Sequence, residues 1–232
     1  MGPNFKMIMK RFFAVLALVA ICAVAPAQAQ DYKDVMKERK AMSKMTENEL
    51  ESRVSKNVKR EAKALKKQGW KTVPGALPLE KQLERSFKMQ LEFDEYGYPL
   101  YIHGDAQSVS GNYDAAKMQA TNLAKVNLAG NIQTEVVALV ESAVANKQLD
   151  QGEAVSTTES VMGNVNTIAN NIGRVIPVVE LYRDAPQKSK EVRDIVFYNA
   201  KMAKQAAKDA IAEDLEKRGQ GLVDKINNML GL

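Results

Sequence analysis

The longest helical pattern in the chain lies between Asn112 and Lys147. Apolar and small residues recur there three and four positions apart, the spacing of one helix face, for about nine turns. Small side chains at the start of the pattern indicate a close approach to a sheet or to another helix. We therefore predict a helix over 112–147. The residues that carry the pattern are Ala115, Ala116, Ala120, Leu123, Ala124, Leu128, Ile132, Val136, Val140 and Ala143.

Helical spacing also predicts shorter helices on both sides of this segment. The helix at 154–171 is unusually polar, whereas the helix at 199–217 has an alanine-rich face. Gly219 and Gly221 then favour a break before a short apolar helix that begins at Leu222. The remaining predicted helices are 33–44, 47–67 and 78–92.

Segments rich in β-branched and aromatic residues predict a small sheet. Pro177 lies within one of them and places that segment at a sheet edge or a bulge, because proline cannot donate to a strand ladder. The expected fold is α+β: a mainly antiparallel sheet, with the long helices at 112–147 and 199–217 packed on one face and a helical arm added. The predicted strands are 69–73, 98–109, 174–183 and 191–198.

A basic arm, residues 30–68, precedes the predicted α+β domain at 69–232. The segment Lys33–Lys67 has 12 basic residues against 6 acidic ones, a net charge of +6. The sequence Thr46–Glu49 has the capping-box pattern of a helix start. A narrow apolar stripe in the following helix predicts that one of its faces docks on other elements. The stripe consists of Leu50, Val54, Val58, Ala62 and Leu65.

The charge of the arm has two interpretations. Lys56, Lys59, Arg60 and Lys63 could form a basic patch that binds an anionic polymer or a membrane surface. Alternatively, the charges only keep a solvated helix soluble. The second interpretation is favoured because no aromatic residues lie among the bases, as stacking on nucleic-acid bases would require. Nucleic acid is therefore not an expected partner, whereas peripheral membrane contact stays open.

Four aromatic residues near the first long strand form a second candidate site. Tyr96, Tyr98 and Tyr101, together with Phe93, could line a binding face, for instance for a glycan. The alternative is a tyrosine-rich turn that packs on the adjacent helix, and we favour it.

Residues 1–29 have the pattern of a secretory signal peptide. A basic start that ends at Lys10–Arg11 leads into 14 apolar residues, and a small-residue cleavage pattern ends at Ala29. A bilayer span needs roughly 20 apolar residues, so we expect cleavage rather than a retained anchor. The expected location is the periplasm, the outer-membrane surface or the medium, with no transmembrane span once cleavage after Ala29 leaves Gln30 as the new N-terminus.

Residues typical of catalytic or metal centres are scarce. His103 is the only histidine and Cys22 the only cysteine. Cys22 lies in the apolar run and follows Ile21, whereas lipoprotein processing requires a small residue at that position. These counts exclude a disulfide framework, a cysteine nucleophile and a two-histidine metal site in a cleaved chain. No phosphate-loop, dinucleotide, zinc-protease or EF-hand motif occurs either. We expect no enzyme, no metal and no cofactor.

The arrangement from Tyr98 to about residue 217 resembles a family of Gram-negative envelope proteins. A strand with glycine leads into the alanine-spaced helix at Ala115–Ile132, and a polar helix, a strand pair and a second alanine-rich helix follow. This order is similar to small outer-membrane lipoproteins related to the N-terminal domain of the flagellar assembly protein T, and to uncharacterised secreted bacterial proteins. The resemblance implies a non-catalytic domain for binding or assembly in the envelope, with an envelope protein or a second copy as partner.

Overall fold

The computed structural model describes residues 34, 36–45, 47–218 and 220–231. The chain divides after Met36 into two units, and the second, Lys37–Leu232, contains every element described below. The predicted signal peptide, with Cys22, lies outside the described residues.

Eight α-helices, a short 3-10 helix (Pro186–Lys188) and four strands make up the described part of this unit. The helices are α1 (37–43), α2 (Glu47–Lys67), α3 (Leu79–Gln90), α4 (Tyr113–Ala145), α5 (Gln151–Gly163), α6 (Val165–Asn171), α7 (Ala200–Arg218) and α8 (Gln220–Leu230). The strands are β1 (Lys71–Thr72), β2 (Tyr101–Ser110), β3 (Ile176–Asp184) and β4 (Lys190–Asn199).

The four strands form one antiparallel sheet in the order β1-β3-β4-β2. Strand β2 pairs with β4 along all of its ten residues. Strands β3 and β4 form a hairpin, and a register shift between Pro177 and Val179 shows a bulge, one of the two alternatives that Pro177 predicted. The α+β class predicted from the sequence is therefore confirmed.

One face of the sheet, here the first face, is covered by α4 and by the helices that pack around it. Every second residue of β4 points to this face, so Val196 and Tyr198 join Ile102 of β2 in a cluster with the apolar side of α4. Helices α5 to α8 extend the same cluster beyond the sheet. The positions of α4 predicted to be internal are buried, among them Ala116, Ala120, Ala124, Leu128, Ile132, Val136 and Val140.

The opposite face, here the second face, is covered by α2 and α3. The apolar stripe of α2 packs there with Trp70 and with Phe197 of β4. Arg193 strengthens this layer, because its guanidinium donates to Asp105 at 2.5 Å and lies 3.4 Å from Glu61 of α2. Helix α2, the main helix of the predicted arm, is therefore part of the core. Its buried residues are Val54, Val58, Ala62 and Leu65, and Leu50 is partly buried.

Three predicted elements differ from the observed ones. The helix expected at 154–171 is two helices, because Asn164 ends α5 and donates its side-chain amide to the Ser160 carbonyl. Strand β1 has only two residues, since Gly69 and Gly75 take positive φ on either side of it. The last helix begins at Gln220 rather than at Leu222.

Gly104 in β2 sets how closely α4 approaches the sheet. A Cβ atom at this position would lie 2.0 Å from the Ala124 carbonyl oxygen and 2.6 Å from the Leu128 nitrogen. Both are backbone atoms of α4, so no side-chain rotation could relieve the clash. Any residue other than glycine would force the helix and the strand apart.

We expect Gly104→Ala to lower the free energy of unfolding by about 3 kcal/mol or more, because the added methyl group displaces α4 backbone. Gly130→Ala on the same helix is the matched control. Its Cβ would meet nothing within 4 Å, so we expect about 1 kcal/mol of stabilisation from better helix propensity. Urea denaturation followed by circular dichroism measures both. Equal stability of Gly104→Ala and the wild type would contradict the close contact.

Strand β2 is an edge strand, and α4 caps part of its open side. The side-chain amide of Asn127 donates to the Asp105 carbonyl at 2.7 Å, and that of Asn131 donates to the His103 carbonyl at 2.8 Å. These two carbonyls belong to alternate residues of β2, whose backbone groups point away from β4. An exposed edge of this length invites pairing with another chain, and the two amides obstruct it.

The double variant Asn127→Ala, Asn131→Ala should self-associate more strongly than the wild type, because it uncovers two edge carbonyls. Sedimentation velocity across a concentration series measures this. Asn122→Ala is the control, since Asn122 is exposed on the same helix and makes no side-chain hydrogen bond among the described residues. Identical behaviour of the double variant and the control would show that the amides do not protect the edge.

Candidate anion-binding surface

Helix α2 carries its basic residues on the side opposite its buried stripe. At 100° per residue, the buried positions Val54 and Leu65 lie close together around the helix, and Lys63 lies about 180° from Val54. We call this outer side the basic face. It consists of Lys56, Lys59, Arg60, Lys63 and Lys67, all of them exposed. From the first to the last of these residues the face extends for about 16 Å.

The charges of the basic face are not neutralised by neighbouring acids. Among the described residues none of its five side chains forms an ion pair, and Arg60 makes only a 3.4 Å hydrogen bond to Asn57. The acids nearby have other partners: Glu61 binds Arg193 on the second face, and Glu80 of α3 binds Lys66. The result is a row of uncompensated positive charge.

Such a row destabilises the free helix. Like charges three or four residues apart, such as Lys59 and Lys63, repel each other at about 0.2–0.5 kcal/mol per pair. Basic residues in the last turn, here Lys66 and Lys67, are stabilised by the helix dipole. The helix dipole does not stabilise Lys56 and the other bases in the middle of the helix, because its effect is confined to the terminal turns.

The basic face borders an open groove at the junction of α2 and α3. Lys59, Lys63, Lys66 and Lys67 line it together with Glu80 and Ala62. The hydrogen bond from Lys66 holds the pKa of Glu80 below its usual value, so this acid stays ionised beside the lysines. An anion that enters the groove would meet several ammonium groups and one carboxylate already bound to a lysine.

Of the residues predicted as sites, the bases come together and the tyrosines do not. Lys56, Lys59, Arg60 and Lys63 share the basic face, to which the structure adds Lys67. The side-chain spacing along α2 could have identified Lys67 as well. The capping box predicted for the start of this helix begins at Thr46, which lies outside the described residues.

The three tyrosines lie in different surroundings. Tyr98 packs against the cluster of the first face, and Tyr101 packs against that of the second. Tyr96 is 61% exposed. Burial raises the pKa of Tyr98, whose ring lies 5.2 Å from the Lys204 ammonium. The tyrosines therefore do not line a common face.

The other residue types considered for catalysis or metal binding lie in surroundings typical of a structural role. His103 stacks on Phe197 with ring centroids 5.5 Å apart, and burial lowers the pKa of its imidazole. Within the described ranges no group of three His, Cys, Asp or Glu residues could hold a metal ion. None of the helices in that part of the chain is long and apolar enough to cross a bilayer.

A polar cluster beneath α4 was not anticipated from the sequence. It joins Asp194, Glu180, Thr121, Lys117 and Tyr113 on the first face of the sheet. The available signal was the position of Asp194 in a predicted strand, because its neighbours on the same side of that strand, Val192 and Val196, are both apolar.

Comparison with known proteins gives no relative for this chain: no family model, no curated protein and no solved structure matches it.

Proposed function

We propose that this protein is a non-catalytic, exported binding protein that attaches to an anionic membrane surface through the basic face of α2. The observation that supports the proposal is the row of exposed, uncompensated bases on a helix whose other side is fixed in the core. The signal-peptide pattern of residues 1–29 agrees with a place in the bacterial envelope.

A membrane surface fits the shape of the basic face better than a nucleic acid does. The face is a straight row on a convex helix, and no aromatic side chain belongs to it for bases to stack on. Each Lys or Arg close to an anionic lipid surface contributes about 1 kcal/mol of attraction. Five such residues give reversible attachment, which salt weakens because the side chains are exposed.

Neutralising three lysines of the basic face should abolish most of this attachment. For Lys59→Gln, Lys63→Gln, Lys67→Gln we expect binding to vesicles of phosphatidylglycerol and phosphatidylcholine to weaken by about 100-fold, the effect of about 3 kcal/mol. The unfolding free energy should stay equal or rise slightly, because repulsion within α2 is relieved. Cosedimentation at several salt concentrations and urea denaturation measure the two quantities.

The matched control is Lys147→Gln, Lys188→Gln, Lys201→Gln, which removes the same charge from exposed positions elsewhere. We expect the control to bind like the wild type. An equal loss in both triple variants would show that net charge alone matters, and absence of wild-type binding at low salt would reject the membrane proposal. Binding to a linear polyanion such as polyphosphate but not to vesicles would also reject the membrane proposal.

Export makes a separate prediction about the chain itself. Expressed in a Gram-negative host, the protein should be recovered from the periplasm, outer-membrane fraction or medium, with a mass that corresponds to a start at Gln30. Changing the cleavage pattern by Ala29→Leu should leave a longer, membrane-held precursor. Recovery of the full-length chain from the cytoplasm would contradict export.

A further inference from the structure

Two carboxylates lie side by side under the N-terminal half of α4. Asp194 of β4 and Glu180 of β3 are register partners in the sheet, so their side chains emerge together on the first face. Asp194 is only 4% exposed. Carboxylates are seldom found so deeply buried unless they are paired.

Glu180 has partners for its charge. The Lys117 ammonium lies 2.8 Å from its Oε1, and the Tyr113 hydroxyl donates to the same oxygen. Asp194 has fewer hydrogen-bonding partners than Glu180 has. Its Oδ2 contacts the Thr121 hydroxyl, while its Oδ1 is buried without a hydrogen-bond partner among the described residues.

The Thr121 hydroxyl is shared between two acceptors. Its oxygen lies 2.9 Å from the Lys117 carbonyl, one turn earlier in α4, and also contacts Asp194 Oδ2. A hydroxyl has one proton to donate and two lone pairs that accept. If Asp194 is ionised, two acceptors compete for that proton. If Asp194 is protonated, it donates to the Thr121 oxygen, and the Thr121 hydroxyl donates to the Lys117 carbonyl. Each of the two protons then has its own acceptor.

We propose that Asp194 is a proton-binding site that fastens helix α4 to the sheet when its carboxylate takes up a proton from solvent. The added proton lies on Oδ2, between Asp194 and the Thr121 oxygen, and the carboxylate becomes a neutral acid. The buried Oδ1 then belongs to an uncharged group, which costs less to keep away from water.

The charges around Asp194 favour this protonation. Burial raises its pKa from 3.8 to about 6, and the negative charges of Glu180 and Asp105 act in the same direction. The Thr121 hydrogen bond and the Lys117 ammonium act against it. Tyr113, the other titratable group of α4 at this place, is held protonated because burial and Glu180 raise its pKa.

The direction of the pH effect follows from these shifts. The folded chain binds the proton more tightly than the unfolded chain, in which Asp194 has a pKa near 3.8. The stabilisation is complete below that value, is lost as the pH rises toward about 6, and stays absent at higher pH. The group therefore favours folding in mildly acidic solution.

Asp194→Asn tests the site, because an amide keeps the shape and remains neutral at every pH. Urea denaturation from pH 4.5 to 8 gives the unfolding constants of the wild type and the variant. As the pH rises over this range, we expect the wild-type constant to increase relative to the variant by up to about 30-fold, because part of the effect set by the two pKa values falls below pH 4.5. Asp209→Asn, at an exposed position of α7, should show no such trend.

A pH-independent ratio of the two constants would overturn the proposal, and so would a variant less stable than the wild type at pH 8. Should Asp194→Asn fail to fold, the wild-type protein still provides a test. The carbon-13 resonance of the Asp194 carboxyl should titrate near pH 6, and a midpoint below 5 would reject the site. In Glu180→Gln the same midpoint should move to lower pH, because the neighbouring negative charge is removed and Lys117 loses its other partner.

Discussion

The contact between the backbone of β2 and the backbone of α4 controls the rest of the first face. Gly104 permits it, since any side chain there would strike the Ala124 carbonyl. With the helix this close, small residues fit where its N-terminal half faces the sheet, and this accounts for Ala116 and Ala120. The same closeness brings the amides of α4 to the edge of β2 and the hydroxyl of Thr121 to Asp194.

Packing on the second face of the sheet fixes the orientation of helix α2. Because Val54 and Leu65 are buried and Glu61 is paired with Arg193, α2 has one orientation on the sheet. Its basic face is consequently a fixed row of charges and not a flexible tail. A rigid row loses little backbone entropy when it meets a flat, anionic surface, so more of the electrostatic attraction is available as binding free energy.

Periodicity in the sequence was sufficient for most of the helices and for the apolar stripe of α2, because a 3.6-residue pattern reports directly on which side is buried. Segment composition located the three long strands and restricted Pro177 to a sheet edge or a bulge. Alternation along the predicted strand 98–109 would have placed Tyr98 and Tyr101, three residues apart, on opposite faces of the sheet. The sequence pattern could not pair Asp194 with Glu180, which are brought together only by the register of β3 and β4.

At the basic face and at Asp194, other residues would make the protein without a bound ligand more stable. A glutamate in place of Lys63 would pair with Lys59 and Lys67 without disturbing the packing of α2. A valine in place of Asp194 would leave no buried side-chain oxygen without a partner. Local costs of this kind are concentrated at functional sites. In the two proposals these costs are relieved by different ligands, an anion at the exposed basic face and a proton at the buried Asp194. Salt screens the exposed charges strongly and the buried carboxylate only weakly, so the two effects can be separated in one protein.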